Sequence, residues 1–184
     1  MTEADVRTRY TNVAIALHWL IGLAIIGNLA GGLTNESVPK DMQGVVMGLH
    51  KATGITILAL SVFRLIWRLG HRPPPYEAML ATWEKTTAKI VHWVFYVLII
   101  AIPFSGWLIT SAGGRKHGLS WYGLFDIPFL PVAQDKMLAG AAGGAHENLS
   151  YLLIALLLLH IGAAMKHIFL DGDGTFARML PGKG

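Results

Sequence analysis

Residues 143–168 read GGAHENLSYLLIALLLLHIGAAMKHI, an apolar run that contains His146 and His160 and closes on His167. A helix that spans a bilayer needs about 20 predominantly apolar residues, so this run is long enough to cross a membrane. Ionisable side chains are costly inside a membrane and usually serve a function there. The stretch therefore predicts a transmembrane helix that carries functional histidines.

The rest of the chain holds three more runs of this kind, and we predict transmembrane helices over residues 13–33, 45–69, 90–112 and 145–170. The 184 residues are 53% hydrophobic and only 14% charged, whereas soluble domains carry about 25% charged residues. A soluble protein would lack the polar surface needed to cover these runs. We expect an all-α fold, with one domain over residues 1–184 built as an integral membrane four-helix bundle of up-down-up-down topology.

The basic residues predict how this bundle is oriented. Those on the side that holds both termini are Arg7, Arg9, Arg64, Arg68, Arg72, Lys85, Lys89, Lys166, Arg178 and Lys183. Those on the opposite side are Lys40, Lys51, Arg115, Lys116 and Lys136. Because cytoplasmic loops are enriched in Lys and Arg, both termini are expected in the cytoplasm. This topology accounts for the basic excess, so nucleic acid is not an expected partner.

The largest outer loop, residues 113–144, is expected to hold a short helix.

The histidines of the predicted helices fall into two pairs. His146 and His160 are 14 positions apart, which places them on one helix face about 21 Å apart along the axis. His50 lies at the outer end of the second helix, at the depth of His146. His18 lies in the inner part of the first helix, at the depth of His160. The pairs His50/His146 and His18/His160 therefore predict two sites stacked across the bilayer.

The chemistry of these pairs favours haem. The chain has no cysteine, which excludes disulfides, thiolate metal sites and iron–sulfur clusters. Zinc takes three or four protein ligands, more than each level offers. Haem iron needs only two axial imidazoles, because the porphyrin supplies the other four nitrogens. Without a C-x-x-C-H motif, two non-covalent b-type haems are expected.

Residues near the histidines support this interpretation. Small residues, which would let a flat macrocycle approach the helix, follow each proposed ligand by four positions: Gly22, Gly54, Ser150 and Ala164. His92 is followed instead by Tyr96, so we interpret His92 as a non-ligand. Arg64 and Lys51 lie near the inner and outer levels, where they are candidates for contacts with anionic haem propionates.

Several short motifs, taken in order, resemble the bacterial cytochrome b-561 family of four-helix dihaem membrane proteins. They are ALHW (16–19), LHKATG (49–54), RLIWR (64–68), IPFSGW (102–107), WYGLFDIP (121–128), AHE (145–147), LLLLHIGAAMKH (156–167) and RMLPG (178–182). The resemblance implies a bacterial inner-membrane location and the same pairing of histidines. It also implies exchange of electrons with the quinone pool, which makes ubiquinone the expected substrate or bound cofactor.

The expected function follows from both lines of reasoning. His167, with His92 or Lys166, is predicted to line an inner quinone pocket. Lys51, Arg115, Lys116 and Lys136 are predicted to form a positive rim that steers a small anion or an acidic redox protein to the outer haem. The resemblance implies superoxide oxidation coupled to quinone reduction. The alternatives are a pure electron carrier and a membrane anchor that conducts electrons for a partner dehydrogenase or hydrogenase.

Overall fold

The computed structural model describes residues 9–76, 80–114 and 118–182. Within these ranges the chain forms four long helices: α1 (Asn12–Thr34), α2 (Lys40–Gly70), α3 (Thr82–Ala112) and α4 (Lys136–Lys166). Each is long and apolar enough to cross a membrane. The predicted all-α four-helix architecture is therefore confirmed.

Three of the helices begin earlier than the hydropathy predicted. α2 begins at Lys40, α3 at Thr82 and α4 at Lys136, so each extends past its apolar run by five to nine residues. Hydropathy detects only the part of a helix that lies in hydrocarbon. The helix itself continues into the polar region as long as its backbone hydrogen bonds are satisfied.

Side-chain caps fix two of these early starts. The Asp135 carboxylate accepts hydrogen bonds from the backbone N–H groups of Met137 and Leu138, at 2.7 and 3.4 Å. The Glu84 carboxylate accepts the backbone N–H of Ala81 at 3.0 Å. Capping satisfies backbone groups that have no partner inside the helix. Both helices are therefore capped outside the apolar run.

The helices pack in chain order, α1 on α2, α2 on α3 and α3 on α4. Within the part of the chain that the structure describes, α1 and α4 pack only loosely against each other, as do α2 and α4. The buried core lies between the helices, and its members include Leu17, Ile21, Ile25, Ile57, Leu98, Ile99, Ile102 and Leu153. The space along α4 is thus less filled by protein than the rest of the bundle.

One end of the bundle, here called the hairpin end, carries a two-stranded antiparallel hairpin of β1 (Ser120–Trp121) and β2 (Phe125–Asp126). The described residues of this loop before α4, 113–114 and 118–135, contain the hairpin and no helix, so the predicted short helix is not found among them. Tyr122 and Gly123 both adopt positive φ, 51° and 77°, which favours a tight hairpin turn. The Trp121 indole donates to Thr56 Oγ1 at 3.0 Å, so the hairpin is anchored to α2.

At the opposite end, here called the terminal end, the first and last described residues meet. Arg9 donates to the carbonyl oxygens of Leu180 and Gly182. The Trp19 indole donates to the carbonyl oxygen of Met179 at 2.7 Å. These bonds tie the C-terminal segment to α1.

Candidate cofactor sites

The structure brings both predicted histidine pairs together. The rings of His50 and His146 have centroids 6.1 Å apart at an interplanar angle of 73°. The rings of His18 and His160 have centroids 6.1 Å apart at 70°. Metal–imidazole bonds are about 2.0 Å long, so two imidazoles on opposite sides of one metal have ring centres about 6 Å apart. Both pairs therefore fit the spacing that two axial ligands require.

The two helices that carry each pair pack only loosely against each other. His50 lies on α2, His18 on α1, and their partners both lie on α4. These are the helix combinations that pack loosely among the described residues. All four histidines are half-buried. The pairs thus face each other across gaps between helices.

At the hairpin end, backbone carbonyls orient both rings. Nδ1 of His50 donates to the carbonyl oxygen of Asn28 at 3.1 Å. Nδ1 of His146 donates to the carbonyl oxygen of Ile102 at 2.9 Å, with Ser105 Oγ 3.1 Å away. A carbonyl can only accept, so Nδ1 carries the proton and Nε2 is left with a free lone pair. Metal-binding histidines are commonly held in this way.

Two glycines with no predicted role lie close to the same rings. A Cβ at Gly32 would lie 3.1 Å from Cε1 of His50, and one at Gly106 would lie 3.2 Å from Cε1 of His146. A larger residue at either position would displace the ring. Their sequence signals are the Gly-Gly pair at 31–32 and the Ser-Gly of the IPFSGW motif.

Three of the four small residues predicted to face a macrocycle, Gly22, Gly54 and Ser150, have different surroundings. Gly22 has no atom within 4 Å of an added Cβ, so it borders open space. A Cβ at Gly54 would contact Asn28 and Pro103. Ser150 donates its hydroxyl to the carbonyl oxygen of His146 at 2.7 Å, within its own helix.

The terminal-end pair has a third histidine beside it. His92 on α3 has its ring 6.0 Å from that of His160, nearly the distance of His18, and the Phe95 ring lies 5.4 Å from His160. However, α3 packs closely on α4, whereas α1 does not. The rings of His18 and His92 thus lie about equally far from that of His160, but only the predicted pair, His18 with His160, joins two helices that pack loosely.

The two predicted propionate partners lie at the expected levels. Arg64 is half-buried and donates to the carbonyl oxygen of Ala14 at 3.0 Å. Its guanidinium lies near enough to the rings of His18, His92 and His160 to interact with them electrostatically. Lys51 is half-buried, and its charge acts on the His50 ring.

Of the predicted quinone residues, His167 and Lys166 share a carboxylate partner, Asp171, whereas His92 lies elsewhere. His167 Nδ1 lies 2.8 Å from Asp173 Oδ2 and 3.1 Å from Asp171 Oδ2. Lys166 forms ion pairs with Glu84 at 3.0 Å and with Asp171. His92 instead contacts His160. The two aspartates were not predicted, and their only signal in the sequence is the DGD segment at 171–173 that follows α4.

Asp173 is held in its charged form. Burial raises the pKa of this carboxyl, but hydrogen bonds from Thr175 and His167 outweigh burial and leave the pKa below its usual value. The Thr175 backbone N–H donates to Asp173 Oδ1 at 2.9 Å. Because the carboxylate is ionised at neutral pH, it can fix the proton on Nδ1 of His167.

The predicted basic rim is only partly described. Lys51 lies on α2 beside His50, and Lys136 is exposed at the start of α4. Arg115 and Lys116 lie outside the described residues.

Comparison with known proteins finds sequence similarity over almost the whole chain. The sequence profile of the family described as prokaryotic cytochrome b561 matches residues 9–182. Cytochrome b561 homolog 2 of Escherichia coli (strain K12) is 32% identical over 182 residues, which cover 98% of this chain and 95% of that protein. Probable superoxide oxidase CybB of Yersinia pestis is 30% identical over 186 residues, with 95% and 97% covered. Cytochrome b561 homolog 1 of the same E. coli strain is 27% identical over 176 residues, with 94% and 97% covered.

Proposed function

The chain belongs to the prokaryotic cytochrome b561 family, whose members bind b-type haem and transfer electrons in membranes, and from this premise we propose that it conducts electrons from superoxide on the periplasmic side of the inner membrane to ubiquinone. Its terminal end then faces the cytoplasm and its hairpin end the periplasm. The described basic residues support this orientation, because most of them lie at the terminal end.

His50 with His146, and His18 with His160, are the proposed axial ligands of two b-type haems. The observation that carries this assignment is the equal 6.1 Å separation of the two ring pairs. When bound, haem with two axial histidines supplies reversible one-electron chemistry and has no open coordination position.

Polar residues near each pair are proposed to hold the haem propionates. Arg64 serves the terminal-end site, where its charge acts on the His18 and His160 rings. Lys51 serves the hairpin-end site, where it adjoins His50. A guanidinium or ammonium group pairs strongly with a carboxylate where water is scarce.

Ubiquinone is proposed to bind at the terminal end beside His167. Reduction of a quinone consumes protons as well as electrons, so its site needs a proton-exchanging group. Asp173 holds Nδ1 of His167 at 2.8 Å, which leaves Nε2 as the atom that can exchange a proton with a quinone oxygen. His92 and Lys166 are proposed as further lining residues. The ammonium group of Lys166 is held in position by ion pairs with Glu84 and Asp171.

Superoxide is proposed as the donor at the hairpin end. One similar protein is named a probable superoxide oxidase. Lys51 and Lys136 lie at this end, and a positive surface raises the encounter rate of a small anion. With haem held by two histidines, the donor would pass on its electron without binding the iron, and the role of Lys51 and Lys136 would be to attract superoxide to this end of the bundle.

The test uses the full chain purified alone in detergent. Two bis-histidine sites predict two haems per chain by pyridine haemochrome assay and a reduced α-band of b type. Superoxide added with ubiquinone should produce ubiquinol in the absence of any partner protein. A chain that binds haem but needs a partner subunit for turnover would favour the electron-conduit alternative. A chain without haem would contradict the whole proposal.

A further inference from the structure

Several arginines line a cleft at the terminal end, and no carboxylate of the described residues lines it with them. The cleft lies between the start of α1 and the end of α2, and its lining includes Arg9, Arg64, Arg68 and Arg72. Four guanidinium groups in one cleft repel one another unless an anion joins them.

The described residues do not neutralise these charges through ion pairs. None of the four arginines that line the cleft takes part in an ion pair with a described residue. Arg68 is held by aromatic rings, with its guanidinium 5.5 Å from the Tyr96 centroid and 5.9 Å from that of Trp93. Arg9 uses its terminal nitrogens on carbonyls, and its Nε is buried without a partner.

Neutral groups in the cleft also favour an anion. α1 starts beside it with no acidic residue in its first turn, so the free amides of that turn add positive potential. Burial raises the pKa of Tyr10, which keeps its hydroxyl protonated as a hydrogen-bond donor.

The level of the cleft identifies the source of the anion. Arg64 is deepest, next to the histidines, and we have assigned it to a propionate. Arg68 lies one turn, about 6 Å, nearer the end of the bundle. Trp67 also lines the cleft, and Trp93 and Trp83 are partly exposed at the same end. Tryptophans of this kind mark the membrane–water interface. Arg68 and Arg72 therefore lie at headgroup depth.

We propose that this cleft binds the phosphate of an anionic phospholipid headgroup, with Arg68 and Arg72 as its principal partners. Basic pockets at this depth, on the cytoplasmic side of a membrane, are suited to phosphate headgroups. Guanidinium groups match phosphate oxygens in pairs of parallel hydrogen bonds. The lipid would link the end of α2 to the start of α1, beside the terminal-end cofactor site.

Native mass spectrometry of the haem-loaded full chain tests this proposal. The protein is presented with equal amounts of phosphatidylglycerol and phosphatidylcholine of identical acyl chains. Wild type should retain one phosphatidylglycerol in preference. Arg68→Gln with Arg72→Gln should lower this preference about tenfold. Lys89→Gln is the matched control, because Lys89 is exposed and basic at the same end but does not line the cleft.

A parallel titration with inorganic phosphate distinguishes the source. Phosphatidylglycerol preference that persists at millimolar phosphate supports a lipid site. Displacement of the lipid by millimolar phosphate, lost in the double variant, would assign the cleft to free phosphate and overturn the lipid assignment.

Three further results would overturn the proposal. One is equal retention of both lipids by wild type, and another is equal loss in the double variant and in Lys89→Gln. The third is loss of a haem in the double variant, which would assign Arg68 and Arg72 to propionates. Arg72→Gln alone, at an exposed position, provides a milder variant with an expected loss of about threefold.

Discussion

The carbonyl oxygen of Ile102 on α3 lies 2.9 Å from Nδ1 of His146 on α4. Pro103, the next residue, lies inside α3 and cannot donate a backbone hydrogen bond. The bond to His146 crosses between helices and fixes which ring nitrogen carries the proton. The same stretch places Gly106 against the ring, so one short segment of α3 both orients His146 and makes room for it.

This contact predicts the effect of a single methyl group. Gly106→Ala should displace His146, because its Cβ would lie 3.2 Å from Cε1, and Gly32→Ala should act on His50 in the same way. Each variant should lose about half of the haem, with the terminal-end site intact. Haemochrome content per chain is the measurement. Gly48→Ala, where nothing lies within 4 Å of the added Cβ, should bind haem like wild type, and loss there would point to a general folding defect.

Substitutions of the three histidines around the terminal-end site should differ in how many haems the protein retains. His160→Ala and His18→Ala should each remove one haem, whereas His92→Ala should keep both, because His92 is not a proposed ligand and lies on α3, which packs closely on α4. Electron paramagnetic resonance of the oxidised protein should show one low-spin signal lost in the first two variants only. Loss of that signal in His92→Ala would make His92 the ligand instead of His18.

The junction after α4 should depend on pH through Asp173. The pKa of this carboxyl is lowered in the folded protein, so its stabilising effect is complete above the unfolded value, about 3.9, and is lost as pH falls through the lower folded value. The Thr175 amide, bonded to Asp173, should therefore lose protection from hydrogen exchange below about pH 4. Asp173→Asn should reduce that protection at neutral pH. The Gly113 amide, bonded to Ile109, should be unaffected by either change.

The quinone assignment predicts graded losses of activity. His167→Ala should slow ubiquinone reduction about a hundredfold and Asp173→Asn about tenfold, because the first removes the proton-exchanging group and the second only its orientation. Both haems should remain reducible by dithionite. Stopped-flow measurement of haem reoxidation by quinone gives the rates. Unchanged rates in a His167→Ala, His92→Ala double variant would exclude this pocket.

The basic hairpin end predicts a dependence on ionic strength. Lys51→Gln with Lys136→Gln should slow haem reduction by superoxide several-fold at low salt and flatten its decline with added salt, since long-range attraction is screened over about 10 Å at 0.1 M. Lys89→Gln at the terminal end is the control and should match wild type. A wild-type rate independent of salt would argue against steering.

The proximity of the paired histidines could be predicted because it depends on helical spacing in α4 and on the depth of His18 and His50 in their own helices. A spacing of 14 residues fixes both the shared face and the separation of His146 and His160. The apolar runs similarly fix the number of helices. The starts of α2, α3 and α4 could not be read from hydropathy, because caps such as Asp135 lie outside the hydrocarbon.

The groups that orient the histidines could not be predicted from the sequence. The groups that orient His50 and His146 are backbone carbonyls of Asn28 and Ile102, and every residue has a carbonyl. Gly32 and Gly106 are two among 21 glycines. Only the placement of one helix against another shows which of them touch a ring.

The position of both α4 histidines in the last helix has a consequence for biogenesis. A ribosome that has released only α1, α2 and α3 into the membrane has produced His18 and His50 but neither of their partners. With the ligands proposed above, neither site has both of its histidines until α4 has inserted, and both sites are completed by the same helix. Binding of either haem by two histidines would therefore require the whole bundle.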